Sequence, residues 1–180
     1  MSCSLTTGYT IDCADSVGGL RKLYVGRLSE LASVTVATGT NIVTAISMDE
    51  TYLFRTYELH RETASISEDI VKNASNGSTH YVQKLKFQMR KMSAASRNEI
   101  RLLAQNRLLF VAEDRNGKYW LLGYDTADGA QGLEMVNSTA ASGTAMADLN
   151  GYELNFEGMS ELPMYEVSSS VISVITTAAL

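Results

Sequence analysis

Alternating apolar and polar positions recur along the chain and predict a protein built mainly of β-strands. Over residues 80–92 the side chains of one face are apolar apart from Gln83, as a half-buried strand requires. The apolar positions are Tyr81, Leu85, Phe87 and Met89, and the polar positions between them are Lys84, Lys86, Gln88 and Arg90. Residues 151–158 alternate in the same way, with Tyr152, Leu154 and Phe156 on the inward face.

A long antiparallel hairpin is predicted over residues 51–92. Residues 51–62 and 65–71 are rich in strand-forming types, and Asn76-Gly77 lies at the centre of a turn composition over 73–78. The candidate contact residues are Glu58, Glu62 and Glu68 on the first arm and Lys84, Lys86 and Arg90 on the second. Opposite charges across a ladder contribute about 0.2–1 kcal/mol per pair, so we predict that they fix register or join subunits.

The remaining pattern predicts more strands and one helix. Strands are expected at 21–26, 40–48, 107–113, 118–124, 133–137, 164–167 and 171–175, while 28–36 fits either a strand or a short helix. Ser96 and Glu99 form a capping box that opens a helix over 96–106, with Ile100, Leu102 and Leu103 on its apolar face. Asn116-Gly117 suits a type I′ turn. The fold class is therefore mainly β, an antiparallel β-sandwich or barrel with one packed α-helix and a long β-hairpin.

Composition narrows the function classes. The 180 residues fit a single domain over 1–180, and Pro163 as the only proline offers no linker. The net charge of -5 argues against a general nucleic-acid binder, which needs a basic surface. Cys3 and Cys13 lack metal-site spacing. Residues 1–15 lack the basic and apolar regions of a secretory signal, which favours a cytoplasmic place of synthesis.

The sequence carries no motif for catalysis, a metal or a cofactor, and we predict none of the three. His60 and His80 are the only histidines, and each lies in a strand pattern without a paired nucleophile. The stretch Asp125 to Gly129 reads as an acidic turn rather than a calcium loop. The stripe of Lys84, Lys86 and Arg90 has two interpretations, contact with a phosphate backbone or a solvated face balanced by carboxylates. The negative net charge favours the second, within one chain or between subunits.

Two segments are poor in apolar periodicity. Residues 1–20 read as an extended N-terminal arm with Leu5, Tyr9 and Ile11 as candidate anchors. Residues 138–150 read as a loop of small residues with only Met146 and Leu149 as large apolar side chains. Small side chains lose little entropy on ordering, so we predict that both segments become ordered against neighbouring subunits.

The order of these elements resembles the tail tube proteins of tailed bacteriophages and the related tube proteins of contractile injection systems. The likeness lies in the hairpin over 51–92, the capped helix over 96–106 and the Asn116-Gly117 hairpin that follows. The runs MSCSLTTGYTIDC and GYELNFEGMSELPMYEV are also similar to small virion structural proteins of phages.

This resemblance implies a virion structural protein of the tail, assembled in the host cytoplasm. It implies stacked homo-oligomeric rings that form a conduit for DNA, contacts with other tail or connector proteins, and no membrane. DNA would pass through the lumen without specific binding. Two alternatives stay open: a head–tail connector, terminator or baseplate component, and a ligand-binding β-sandwich module. An enzyme that uses carboxylates such as Glu58 and Glu68 is the least favoured.

Overall fold

Two β-sheets form the frame of the protein in a computed structural model, which describes residues 8–9, 16–49 and 52–176. The strands are β1 Leu20–Arg27, β2 Leu31–Val36, β3 Ile42–Met48, β4 Arg55–Glu58, β5 Ala64–Lys72, β6 Thr79–Arg90, β7 Leu108–Asp114, β8 Tyr119–Leu122, β9 Tyr124–Asp125, β10 Gly129–Ala130, β11 Glu134–Ala141, β12 Gly151–Ser160 and β13 Tyr165–Val167. The helices are α1 Ala94–Gln105, α2 Ser169–Thr176 and a short 3-10 helix, Leu28–Glu30.

One sheet has seven strands and the other has four. The seven-stranded sheet has the order β2-β3-β13-β8-β7-β1-β4, and the four-stranded sheet has the order β11-β12-β6-β5. All neighbouring pairs are antiparallel except β13 with β3. The prediction of a mainly β, sandwich-like fold with a packed helix is confirmed, and the parallel pair makes the larger sheet mixed.

The centre of the molecule is β7, which is buried on both faces. Leu108, Phe110 and Ala112 point into the core between the two sheets. Leu109 and Val111 point into a second core on the other side of the seven-stranded sheet. A strand covered on both faces needs a continuous apolar run rather than alternation, and β7 has one.

Aromatic rings fill the core between the sheets. Phe87 of β6 stacks on Phe156 of β12 with ring centroids 5.9 Å apart. Phe110 of β7 meets the same Phe156 ring at 4.9 Å from the opposite sheet. The inward positions predicted for β6 and β12 therefore form the sandwich interface.

The second core is covered by α2, which replaces the strand expected at 171–175. Val171, Ile172 and Ile175 are buried against the seven-stranded sheet, and Val174 is exposed. The spacing of the buried residues suits one face of a helix. Their β-branched side chains favour a strand locally, and packing on the sheet overrides that preference.

The hairpin expected over 51–92 is shorter than predicted. β5 and β6 pair antiparallel from Ala64 opposite Phe87 to Lys72 opposite Thr79, and Gly77 adopts a φ of 74° in the turn between them. Residues 55–58 instead form β4, which pairs with β1 in the other sheet. Only the half of the hairpin nearest the turn is confirmed.

Helix α1 is confirmed, but its first turn lies earlier than the capping box of Ser96 and Glu99 predicts. Ser93 is the N-cap, and its hydroxyl accepts a hydrogen bond from the N–H of Ser96. The Ser96 hydroxyl in turn accepts a hydrogen bond from the N–H of Ser93. Glu99 instead accepts a hydrogen bond from the hydroxyl of Tyr57. Leu103 is buried, whereas Leu102, expected on the apolar face, is exposed.

The turn between β7 and β8 is not type I′. Only Gly117 has a positive φ there, 79°, whereas type I′ requires one at both central residues. The Asp114 carboxylate accepts from the N–H groups of Asn116 and Lys118, both at 2.8 Å. These two hydrogen bonds stabilise a tight turn, in which Gly117 adopts the left-handed conformation.

Candidate assembly surface

The outer face of the four-stranded sheet is its charged surface. Lys84 and Lys86 of β6 point outward, on the face opposite to the buried Leu85 and Phe87. The Nζ of Lys84 lies 2.6 Å from Asp69 of β5, and the Nζ of Lys86 lies 2.7 Å from Glu153 of β12. The ion pairs therefore run across three strands of the sheet.

Hydrogen bonding sets the charge states of this face. The bond to Asp69 raises the pKa of Lys84, and Glu157 of β12, directly opposite Lys84, adds to the rise. The bond from Lys86 lowers the pKa of Glu153. These effects favour the charged forms of Lys84 and Glu153.

The three glutamates predicted to pair with this stripe lie elsewhere. Glu58 belongs to β4 and faces Lys22 of β1, and Glu62 occupies a left-handed position at φ 62° before β5 begins. Glu68 is in β5 but points to the inner face, opposite Gln83. The predicted charge pairs are therefore wrong within the chain. No local signal in residues 55–58 indicates that they leave the hairpin and pair with β1.

Arg90, the third member of the basic stripe, lies at the end of β6 opposite Gly151 and is exposed. It forms no ion pair within the described residues. Of the arm residues, Tyr9 is exposed, and Leu5 and Ile11 lie outside the described residues. A role of these residues in contacts between subunits stays a prediction.

The inner face of the same sheet carries two neighbouring polar residues, Gln83, which is the exception in the alternating pattern of β6, and Glu68. Gln83 is 1% exposed, and its Oε1 accepts from the N–H of Gly123 at 2.9 Å. Its Nε2 has no hydrogen-bond partner among the described residues. Burial raises the pKa of the neighbouring Glu68. The N–H of Met164, which donates to the Glu68 carboxylate at 2.8 Å, and the nearby Gln83 amide both lower this pKa, but burial has the larger effect.

β5 is an open edge of the four-stranded sheet. Among the described residues it pairs with β6 alone, over nine residues and without a break in register. Nine extended residues span about 30 Å. Ile70, which is 68% exposed, and Val71 lie on this strand near the hairpin turn. A long, regular edge with exposed apolar side chains is a template for pairing with another chain.

β11 is the opposite edge and is less regular. It pairs with β12 at both ends, but the register shifts between Val136 and Thr139, where Asn137 has a φ of 38°. The Ser138 hydroxyl accepts from the N–H of Asn155 at 3.0 Å and so fills the bulge. The strand includes residues 138–141, which the sequence pattern assigns to a loop.

Residues 142–149, between β11 and β12, form a braced loop. One carboxylate oxygen of Asp148 accepts from the N–H groups of Thr144 and Ala145, both at 2.8 Å. These bonds lower the pKa of Asp148. Gly143 has a φ of 73°, and a Cβ there would lie 2.6 Å from that of Asp148. Met146 is fully exposed on this loop.

A groove of about 680 Å³ lies between β1, β4 and α1. Its apolar wall includes Val25, Leu53, Leu102, Leu103 and Leu108. Arg27 pairs with Glu30 at the groove. Burial and the bond to Glu99 raise the pKa of Tyr57 and keep its hydroxyl protonated. The Arg55 guanidinium and the Glu99 carboxylate both line the groove, and neither makes an ion pair within the described residues.

Asp125, which the sequence analysis places in an acidic turn, is a buried structural carboxylate. One oxygen accepts from the N–H groups of Ala127 and Asp128, and the other accepts from Ser160 Oγ and the N–H of Glu161, all within 2.9 Å. Burial opposes ionisation, but the four bonds outweigh it and lower the pKa of Asp125. An Asp followed by small residues suggests a turn, and only the fold shows its burial.

Two kinds of site are not found in the part of the chain that the structure describes. No three or more His, Cys, Asp or Glu side chains come close enough to hold a metal ion. No helix there combines the length and the apolarity that crossing a membrane requires.

No family model matches the chain, no curated protein matches it, and no solved structure matches it.

Proposed function

We propose that this chain is a virion structural protein, a tail tube subunit that assembles into stacked homo-oligomeric rings forming a conduit for DNA. The single observation that carries the proposal is the open β5 edge with its exposed Ile70 and Val71. Soluble proteins ordinarily blunt such an edge with charge, proline or a bulge. β5 carries Glu68, Asp69 and Lys72, but it has no proline and no bulge along its nine residues. A second copy that pairs with this edge would satisfy its free backbone groups and prevent unspecific aggregation.

The strand directions of the four-stranded sheet suit closure into a ring. The order β11-β12-β6-β5 is antiparallel throughout, so β5 and β11 run in opposite directions. Rotation about an axis roughly along the strands keeps every direction unchanged. The β5 strand of one copy would therefore meet the β11 strand of the next as an antiparallel pair, and repetition closes the sheet. The β11 bulge limits this pairing to the strand segments on either side of it.

The charges of the outer face suit a surface along which DNA slides. Lys84 and Lys86 are held by Asp69 and Glu153, so neither is free to release counterions from a phosphate backbone. Glu157 adds a further negative charge beside Lys84. If this face lined the bore, Lys84 and Lys86 would be paired with carboxylates and would not present a basic surface to the DNA.

Assembly is tested on the purified protein by size-exclusion chromatography with light scattering and by negative-stain microscopy. We expect rings or stacked tubes at high concentration. The double variant Ile70→Lys/Val71→Lys places two charges on the β5 edge and should abolish rings. Its thermal unfolding as a monomer should match that of the unchanged protein, because Ile70 and Val71 are not core residues.

Val174→Lys is the matched control, since Val174 is similarly exposed but lies on α2. It should assemble normally. A protein that stays monomeric at every concentration, or a double variant that still forms rings, contradicts the proposal. One or two copies in the native particle would favour a connector or baseplate component instead.

A further inference from the structure

The groove and the braced loop lie at opposite ends of the same strand. β11 begins at Glu134, which binds the Arg107 guanidinium at 2.6 Å, next to Leu108 in the groove wall. It ends at Ala141, where the loop over 142–149 starts. Eight extended residues place these points about 25 Å apart.

Helix α1 also separates the loop from the groove. Its start lies beside the loop, because the N–H groups of Lys91 and Met92 bind Asn150. Its last turns supply Leu102, Leu103 and Asn106 to the groove. A helix of twelve residues is about 18 Å long. The loop therefore lies by the start of α1 and the end of β11, and the groove lies by the end of α1 and near the start of β11.

The two features are complementary in chemistry. The loop presents Met146, fully exposed, and two residues later the carboxylate of Asp148, whose second oxygen makes no hydrogen bond within the described residues. The groove offers an apolar wall that includes the exposed Leu102, together with the unpaired cation of Arg55, while its carboxylate Glu99 is occupied by the Tyr57 hydroxyl. An apolar side chain beside an anion thus faces an apolar wall beside a cation.

The loop is also prepared for binding. The two bonds to Asp148 and the tight approach at Gly143 hold its backbone in one shape before any partner arrives. A preorganised segment loses little entropy on docking. Met146 is fully exposed and packs into neither core of the part of its subunit that the structure describes.

We propose that the loop over 142–149 of one copy docks head to tail into the groove of a second copy, with Met146 against Leu102 and Asp148 near Arg55. The contact is heterologous, so it propagates along one direction instead of closing a pair. This proposal rests on the proposed function, because the occupant of the groove is a second copy of the chain. The loop and the groove would then form the contact between stacked rings. One such contact is small, and a ring multiplies it by the number of its subunits.

The first test compares Met146→Glu with Val174→Glu under conditions where the unchanged protein stacks. Met146→Glu should leave rings intact in negative stain and weaken their stacking by about tenfold or more. Val174→Glu should stack normally. Stacks that persist in Met146→Glu overturn the proposal, as do stacks lost equally in both variants. Stacking that Leu102→Glu abolishes but Met146→Glu spares would show that another segment fills the groove, and would also overturn it.

The second test does not need rings. In a Cys3→Ser/Cys13→Ser background, single-cysteine proteins carrying Met146→Cys and Leu102→Cys are mixed and oxidised. The mixed disulfide should form at least about tenfold more than between Val174→Cys and Leu102→Cys proteins. Equal yields in both mixtures overturn the axial contact. Cross-linking without rings would reject the lateral closure alone, so the two proposals fail separately.

Discussion

The two sheets use the same strand physics for opposite purposes. In the seven-stranded sheet both faces are covered, by the four-stranded sheet on one side and by α2 on the other, and β7 is apolar from Leu108 to Ala112. In the four-stranded sheet one face is buried, and the other carries Lys84, Lys86 and their carboxylate partners. The larger sheet therefore forms most of the core, and the outer face of the smaller sheet is exposed. Substitutions matched between the two sheets test this division.

The largest expected difference is between Leu109→Ala in β7 and Ile70→Ala in β5. Leu109 is fully buried, so its truncation should lower the free energy of unfolding by about 2–5 kcal/mol. Ile70 is mostly exposed, and its truncation should change the monomer by less than about 0.5 kcal/mol. Urea denaturation of the monomer measures both. Equal losses would mean that β5 belongs to the rigid scaffold.

Asp125→Ala should come next, with a loss of about 3 kcal/mol, because it strands buried donors at Ser160 and Glu161. The lowered pKa of Asp125 also has a pH consequence. The ionised form is preferred in the folded state, so its contribution is present above the ordinary aspartate range and is lost as pH falls through the folded pKa. Urea midpoints over pH 2–6 measure it. Asp125→Asn should flatten that dependence.

Glu68→Gln should have a smaller effect of opposite sign. The folded pKa of Glu68 is raised by burial, so ionisation opposes folding, and stability falls as pH rises from the ordinary glutamate range through the folded pKa. The amide keeps an acceptor for the N–H of Met164 and removes the charge. We expect a gain below about 1 kcal/mol at pH 7, because the half-exposed carboxylate is screened by solvent. A gain that persists unchanged at pH 3 would contradict this cause.

The smallest effect is expected for the pair of Lys86 and Glu153. A double-mutant cycle with Lys86→Ala and Glu153→Ala should give a coupling of about 0.5 kcal/mol or less, further reduced by salt. A coupling above about 2 kcal/mol would show that the outer face is structural rather than a free surface.

Local pattern was sufficient where one face of an element is buried. The alternation in β6 and β12 gave the inward residues, and the turn residues at 73–78 gave the end of the β5–β6 hairpin. Side-chain period and left-handed glycine preference are local properties, and a single sequence displays them. The presence of α1 followed for the same reason, although its cap was placed three residues late.

Only the tertiary structure decided which strands share a sheet. Residues 55–58 look like the start of the β5–β6 hairpin, yet their partner is β1, more than thirty residues earlier in the chain. Residues 171–175 have strand-forming side chains, yet a helix covers the second core better. The groove and the open β5 edge depend on these non-local choices. Burial and strand pairing between distant segments outweigh the local conformational preference of a segment. Local sequence patterns display only the local preference, so they do not predict these long-range pairings.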